Sequence, residues 1–72
     1  MRTFTAYVEW DPATKLYVGF VPGLRGAHTQ AATLDELQKN LKEVVALCLE
    51  ESGEDGEGLP VFVGLQQVEV AV

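Results

Sequence analysis

Few side chains in this sequence could do chemistry, and their number and spacing argue against an active site. A structural zinc site needs about four nitrogen, sulfur or carboxylate ligands, whereas the chain has one histidine, His28, and one cysteine, Cys48. A nucleophilic serine needs a base beside it, and the only serine, Ser52, lies far along the chain from His28. The glycines follow no phosphate-loop or dinucleotide-binding spacing. We therefore expect no enzymatic activity, no metal and no cofactor.

Negative charge is concentrated in one short stretch, called here the acidic segment. The net charge is −6, and five of the eleven acidic residues fall within eight positions: Glu50, Glu51, Glu54, Asp55 and Glu57. We interpret this segment either as a solvated loop that aids solubility or as a contact for a basic partner protein. The five basic residues are scattered. Because phosphate binding requires clustered positive charge, we expect no direct binding to nucleic acid.

A single long amphipathic helix is predicted for residues 33–52. Thr33 and Glu36 have the spacing of a capping box at its start. Gly53 is suited to the left-handed conformation that ends many helices. Apolar residues recur along it at three- and four-residue spacing, and they are Leu34, Leu37, Leu41, Val44, Val45 and Cys48.

An antiparallel hairpin is predicted before this helix. Residues 2–10 and 16–21 alternate between apolar and polar side chains, and the Asp-Pro pair at 11–12 favours a turn. A loop at 11–15 places three pairs of residues opposite one another on the core face. These pairs are Trp10 with Leu16, Val8 with Val18, and Ala6 with Phe20.

The remaining segments complete an α+β fold. Residues 27–31 read as a short edge strand, and residues 67–72 alternate as a final strand, whereas the pattern leaves open whether residues 61–65 form one. The order β-β-β-α-β predicts a four-stranded, mostly antiparallel sheet with one helix packed on one face. We expect residues 1–72 to form a single domain of this kind.

Composition adds an expectation about compartment and assembly. A lone cysteine on the apolar stripe of the helix indicates a small buried side chain in a reducing compartment. No signal peptide and no run of membrane-spanning length is recognised, so we expect a soluble cytoplasmic protein without a membrane partner. Leu47 and Leu49 widen the apolar stripe, which indicates either a second partner or partial exposure. A domain this small has a modest core, which favours a homo-oligomer.

One series of residues matches a known family pattern. The series is Tyr17-Val18-Gly19-Phe20-Val21-Pro22-Gly23-Leu24-Arg25-Gly26, then Thr29, then Thr33-Leu34-Asp35-Glu36-Leu37, with Asn40 and Glu43. Residues 68–72, Val-Glu-Val-Ala-Val, fit the same pattern. Over nearly its whole length the chain thus resembles the N-terminal domain of HicB-type antitoxins. It departs from that family at Ala27, where cysteine is frequent, and at Ala31, where glycine is common.

The resemblance implies a partial RNase-H-like fold without the acidic site of the nuclease. It also implies that the domain binds and masks a small basic mRNA-cleaving toxin of the HicA type. Full-length antitoxins of this kind usually add a C-terminal DNA-binding domain that represses their own operon, and none follows the last strand here, so we expect no autorepression by residues 1–72. The expected function is therefore that of a HicB-like antitoxin domain, or an orphan relic of one, with the acidic segment and the exposed edges of the sheet as the candidate contacts. The alternative is a stand-alone homo-oligomeric protein of unknown structural or regulatory role.

Overall fold

The fold is a three-stranded antiparallel sheet with one helix on one face. A computed structural model describes residues 2–53 and 57–72. The elements in chain order are β1 (Tyr7–Asp11), β2 (Leu16–Phe20), β3 (His28–Ala31) and α1 (Leu34–Ser52). The strands lie in the order β1-β2-β3, and α1 packs over β3 and β2. The predicted α+β class is confirmed.

The predicted helix and both of its caps are confirmed. The Thr33 Oγ1 atom accepts a hydrogen bond from the Glu36 backbone N–H at 3.1 Å. At the other end Gly53 adopts a φ of 70° and donates its N–H to the Leu49 carbonyl at 3.1 Å. These bonds satisfy backbone groups that a helix leaves without partners at its ends. Thr33 and Gly53 therefore set the length of α1.

The buried stripe of α1 is narrower than the sequence pattern predicted. Three of its residues are buried: Leu37, Leu41 and Val45. Cys48, predicted to be buried, is half-buried against the core. Leu34 and Leu47 are each 55% exposed, because the three strands cover only one side of the helix.

The first hairpin forms as predicted, but its register differs by one residue. Val8 pairs with Gly19 instead of Val18. Because neighbouring residues of a strand point to opposite faces, a shift of one residue turns every side chain of β2 over. Gly19 thus faces α1, and the predicted core residues of β2 lie on the sheet face away from the helix: Leu16, Val18 and Phe20.

The loop explains the shifted register. Asp11 pairs with Leu16, so the loop consists of four residues instead of the predicted five. The Asp11 carboxylate accepts hydrogen bonds from the Ala13 N–H and the Thr14 hydroxyl, both at 3.0 Å. Lys15 closes the loop with a φ of 60°, a conformation that residues other than glycine seldom adopt. Asp11 is therefore both the last residue of β1 and the residue that organises the turn.

The face that packs against α1 contains small residues. A Cβ atom at Gly19 would lie 3.1 Å from Leu41 Cδ1 and 3.3 Å from Leu37 Cδ2. Ala31 of β3 is buried beside the same two leucines. The absence of bulk at Gly19 and Ala31 lets α1 approach the sheet closely, as in other close-packed interiors.

A glycine-containing loop joins β2 to β3 and carries the second part of the core. Val21, Leu24 and Ala27 are buried there. Backbone hydrogen bonds join Val21 to Ala27 and Leu24 to both of them. Gly23 and Gly26 adopt φ values of 83° and 82°, which glycine adopts without steric cost. The strand after this loop begins one residue later than predicted, at His28.

The predicted fourth strand at residues 67–72 does not pair with the sheet in the described part of the chain. Residues 59–72, called here the tail, form no helix or strand, and this includes residues 61–65. Val68 and Val70 are 79% and 68% exposed. Uncovered by this strand, Val8 and Trp10 on the helix side of β1 are 47% and 50% exposed. The prediction that they belong to the core is therefore wrong.

Candidate partner-binding surface

The predicted contact residues that the structure describes lie at, or just beyond, the C-terminal end of α1. Glu50 and Glu51 occupy its last turn, and both side chains are exposed. Glu57 is exposed in the turn beyond it, and Glu54 and Asp55 lie outside the described residues. The structure thus places Glu50 and Glu51 together at one end of the molecule.

The charges on α1 favour its beginning and oppose its end. Asp35 and Glu36 lie in the first turn, where the positive end of the helix dipole stabilises them. The last turn, all of whose residues are described, contains no basic side chain. Glu50 and Glu51 therefore add their charges to the partial negative charge of the last carbonyls. The result is a negative surface that costs the helix stability.

The hydrogen bonds at this end of α1 involve other residues. The Ser52 hydroxyl donates to the Leu49 carbonyl at 3.3 Å, and the same carbonyl accepts the Gly53 N–H. Ser52 therefore has a local structural role at the end of the helix, whereas the two glutamates point their charges into solvent.

The side chains with possible chemistry lie on opposite sides of the sheet. His28 pairs with Phe20 and so lies on the face away from α1. Cys48 lies on α1 next to the glycine loop, where a Cβ atom at Gly26 would be 3.5 Å from its sulfur. Among the described residues, no group of three or more His, Cys, Asp or Glu side chains is placed to hold a metal ion.

The sheet face away from α1 is an aromatic and aliphatic surface that sequence analysis missed. Tyr7 and Phe20 are in ring contact there, with centroids 5.5 Å apart, and Phe62 of the tail meets Tyr7 edge-on at 5.7 Å. Val18 lies between the two edge strands on this face. The register of β2 could have revealed this surface, because Val18 and Phe20 point to the helix side in the predicted register and to this side in the observed one.

Both edges of the sheet are candidate contact sites. β1 and β3 are the outer strands, and unpaired edges attract further strands. On β3 the Gln30 carbonyl accepts a hydrogen bond of 3.4 Å from the Asn40 side chain of α1. The helix thus occupies one backbone acceptor of β3, whereas the helix side of β1 remains uncovered at Val8 and Trp10.

Similar proteins occur in bacteria and archaea. The chain is 49% identical over 69 residues to a UPF0150 protein of Thermotoga maritima, an alignment that covers 96% of this chain and 91% of the relative. It is 44% identical over 69 residues to a UPF0150 protein of Synechocystis sp., with 96% of each chain covered. A UPF0150 protein of Archaeoglobus fulgidus is 52% identical over 56 residues, which are 75% of each chain.

The chain belongs to the UPF0150 family. Identity at this level over nearly the whole length implies that the UPF0150 relatives share its fold. No family model and no solved structure matches the chain. The names of the UPF0150 relatives specify neither a substrate nor a partner. Its one described helix is not apolar enough to cross a membrane.

Proposed function

We propose that this UPF0150 protein is a HicB-like antitoxin domain, which binds and masks a small basic mRNA-cleaving toxin of the HicA type. The proposal combines the sequence resemblance with the charge and shape of the described surface. It requires no catalytic group in this chain, because masking a nuclease requires only that the bound domain cover the site that contacts RNA.

The observation that carries the proposal is the negative end of α1. An mRNA-cleaving toxin needs positive charge to bind phosphates, and an acidic surface on its antitoxin is complementary to that charge. Glu50 and Glu51 are exposed and lie where the helix dipole disfavours them. Glutamates that lower the stability of α1 are explained if they contribute to binding a partner protein.

The residues that carry the resemblance also have defined structural roles here. Gly23 and Gly26 allow the loop after β2 to turn, and Thr33 and Glu36 form the start of α1. The loop reaches Cys48 near the C-terminal end of α1 through Gly26. The motif of the proposed family therefore builds the elements that position the acidic end of the helix.

The test is binding of the small basic protein encoded by the neighbouring gene, measured by calorimetry and by protection of an mRNA from cleavage. We expect a complex whose affinity falls as salt is raised, because the contact is between opposite charges. The double variant Glu50→Gln/Glu51→Gln should weaken binding by about tenfold or more, since each fully or partly desolvated ion pair contributes on the order of 1 kcal/mol or more.

A charge-matched control separates local contact from overall charge. Glu9→Gln/Glu43→Gln removes the same two charges from exposed positions away from the end of α1, so its effect on affinity should be small. If both double variants lower the affinity equally, the acidic end of α1 is not the contact. If the neighbouring genes encode no small basic protein, and the domain neither binds nor inhibits HicA-type toxins, the antitoxin function is wrong.

A further inference from the structure

Beyond Phe62 the tail is largely apolar, and all of its residues are exposed. Its side chains include Val63, 95% exposed, and Val68 and Val70, 79% and 68% exposed. Monomeric proteins seldom expose a continuous series of large apolar residues, and such a series usually marks an interaction site. Val68, Val70 and Val72 alternate with Gln67, Glu69 and Ala71. That alternation is the pattern of a strand with one apolar face.

The first residues of the tail pack against residues 2–53, called here the body of the domain. Leu59 packs against the core, and Pro60 lies over Gly23, where a Cβ atom would be 2.6 Å from Pro60 Cδ. Phe62 contacts Tyr7 on the sheet face away from α1. The tail therefore leaves the domain from a defined point beside β1, and Phe62 is its last residue with a ring contact to the sheet.

A groove that fits an apolar strand lies on the other side of the N-terminal segment. It has a volume of about 540 Å³ and runs between residues 2–6 and α1. Phe4 and Ala6 line one side of it, and Leu41, Val45 and Leu49 line the other. Polar side chains line it as well, and among them Arg2 and Lys42 are positively charged. The groove borders the edge strand β1, where Val8 and Trp10 are half exposed. A strand added at this edge would cover all of these side chains.

The dimensions of the chain indicate that the tail extends away from the body, and so favour a groove on another molecule as its binding site. The longest dimension is 45 Å, whereas a helix of 19 residues is only about 28 Å long. The radius of gyration is 14.0 Å, compared with about 11 Å for a compact domain of this length. The tail thus projects beyond the body that holds its base. No residue of the tail lines the groove of its own chain.

We propose that residues 67–72 of one copy add as a fourth strand to the β1 edge of a second copy, with Val68, Val70 and Val72 filling the groove beneath α1. Exchange of both tails creates a two-fold symmetric dimer, in which each sheet has four strands. Each of the two contacts joins an unpaired strand to an unpaired edge, which satisfies the backbone groups of both. The proposal does not depend on the antitoxin function, because it uses β1 and the tail, and leaves the acidic end of α1 free for a toxin.

The first measurement is the mass in solution. Light scattering coupled to size exclusion should give about twice the 7.8 kDa of one chain. The variant Val70→Lys places a positive charge in a groove that Arg2 and Lys42 already line, and it should raise the dimer dissociation constant by about a hundredfold or more. The matched control Glu69→Gln changes a neighbouring residue that points to the other side of the strand, and it should remain dimeric. Circular dichroism of Val70→Lys should still show α1, because Val70 is exposed and makes no part of the buried core.

The second measurement shows which copy supplies the tail. In a sample that mixes isotope-labelled and unlabelled chains, an isotope-filtered NMR experiment detects contacts between different molecules only. We expect contacts from the methyl groups of Val68 and Val70 to those of Leu41 and Val45. A monomeric wild-type protein overturns the proposal. So does a dimer in which these contacts occur only within one chain, or a Val70→Lys variant that stays dimeric.

Discussion

The body of the domain and its tail have similar apolar patterns but opposite environments. In α1 the apolar residues recur at helical spacing, and Leu37 is only 2% exposed. In the tail they alternate at strand spacing, and Val63 is 95% exposed. The body meets its apolar partner within the same chain, because a loop of two residues brings α1 directly back over β3. The tail has no such return.

The comparison shows that periodicity specifies a face and does not specify what covers it. A helix of this length buries its stripe on the nearest sheet, because burial of each large side chain contributes about 1.5–3 kcal/mol. A single extended segment cannot satisfy its own backbone, so it needs an edge to pair with. That edge can be on the same chain or on another. The predictions below test this difference between body and tail.

The largest effect is expected from truncating the core of the body. Leu37→Ala removes a fully buried side chain that contacts the sheet at Gly19, and it should lower the free energy of unfolding by about 2–5 kcal/mol. Val63→Ala, at a residue 95% exposed, should change it by less than about 0.5 kcal/mol. Urea unfolding followed by circular dichroism measures both. Equal losses would mean that the tail belongs to the same core as α1.

A smaller effect is expected from adding a methyl group at two glycines. Gly19→Ala places a Cβ atom 3.1 Å from Leu41, and should lower the free energy of unfolding by about 1–3 kcal/mol because the core becomes overpacked. Gly64→Ala meets nothing within 4 Å, so its effect should stay below about 0.5 kcal/mol. Thermal melts of both variants provide the test. A neutral Gly19→Ala would show that α1 does not pack on the sheet as closely as described.

The parts of the fold that could be predicted from sequence are those with local causes. The bounds of α1 follow from Thr33 and Gly53, whose side chain and backbone conformation act within one turn of the helix. The existence of the hairpin follows from alternation and from Asp11. These signals are contained in a few neighbouring residues, so the sequence pattern alone identifies them.

The wrong predictions concern how segments that are apart in the sequence pair with one another. The sequence pattern is compatible with a loop of four or of five residues. The loop has four because Lys15 adopts a left-handed conformation, which a sequence without glycine at this position does not predict. That one residue decides whether Val18 or Gly19 faces α1. The prediction of a fourth strand was wrong for a related reason, since the alternation of apolar residues does not specify which sheet edge the segment joins. For the candidate site, the acidic end of α1 was predictable from composition, whereas the aromatic surface around Tyr7 depended on the register.

A moderate effect is expected from the N-terminal cap of α1. Thr33→Ala removes the acceptor of the Glu36 N–H and should lower the free energy of unfolding by about 1 kcal/mol. Thr33→Ser keeps the hydroxyl and should restore most of this loss. In NMR spectra, signals of the body should respond to the change while those of residues 67–72 stay in place. If the two threonine variants unfold identically, the hydrogen bond at Thr33 contributes nothing.

The smallest effect is expected from changing the charges at the C-terminal end of α1. Glu50→Lys/Glu51→Lys places positive charge at the negative end of α1, and should raise the free energy of unfolding by about 0.3–1 kcal/mol at low salt. Asp35→Lys, at the opposite end, should lower it by a similar amount, and added salt should weaken both effects. The measurement is urea unfolding at two ionic strengths. A gain in stability together with loss of toxin binding would show that Glu50 and Glu51 serve binding at the expense of the helix, whereas a loss of stability would mean that they have a structural role.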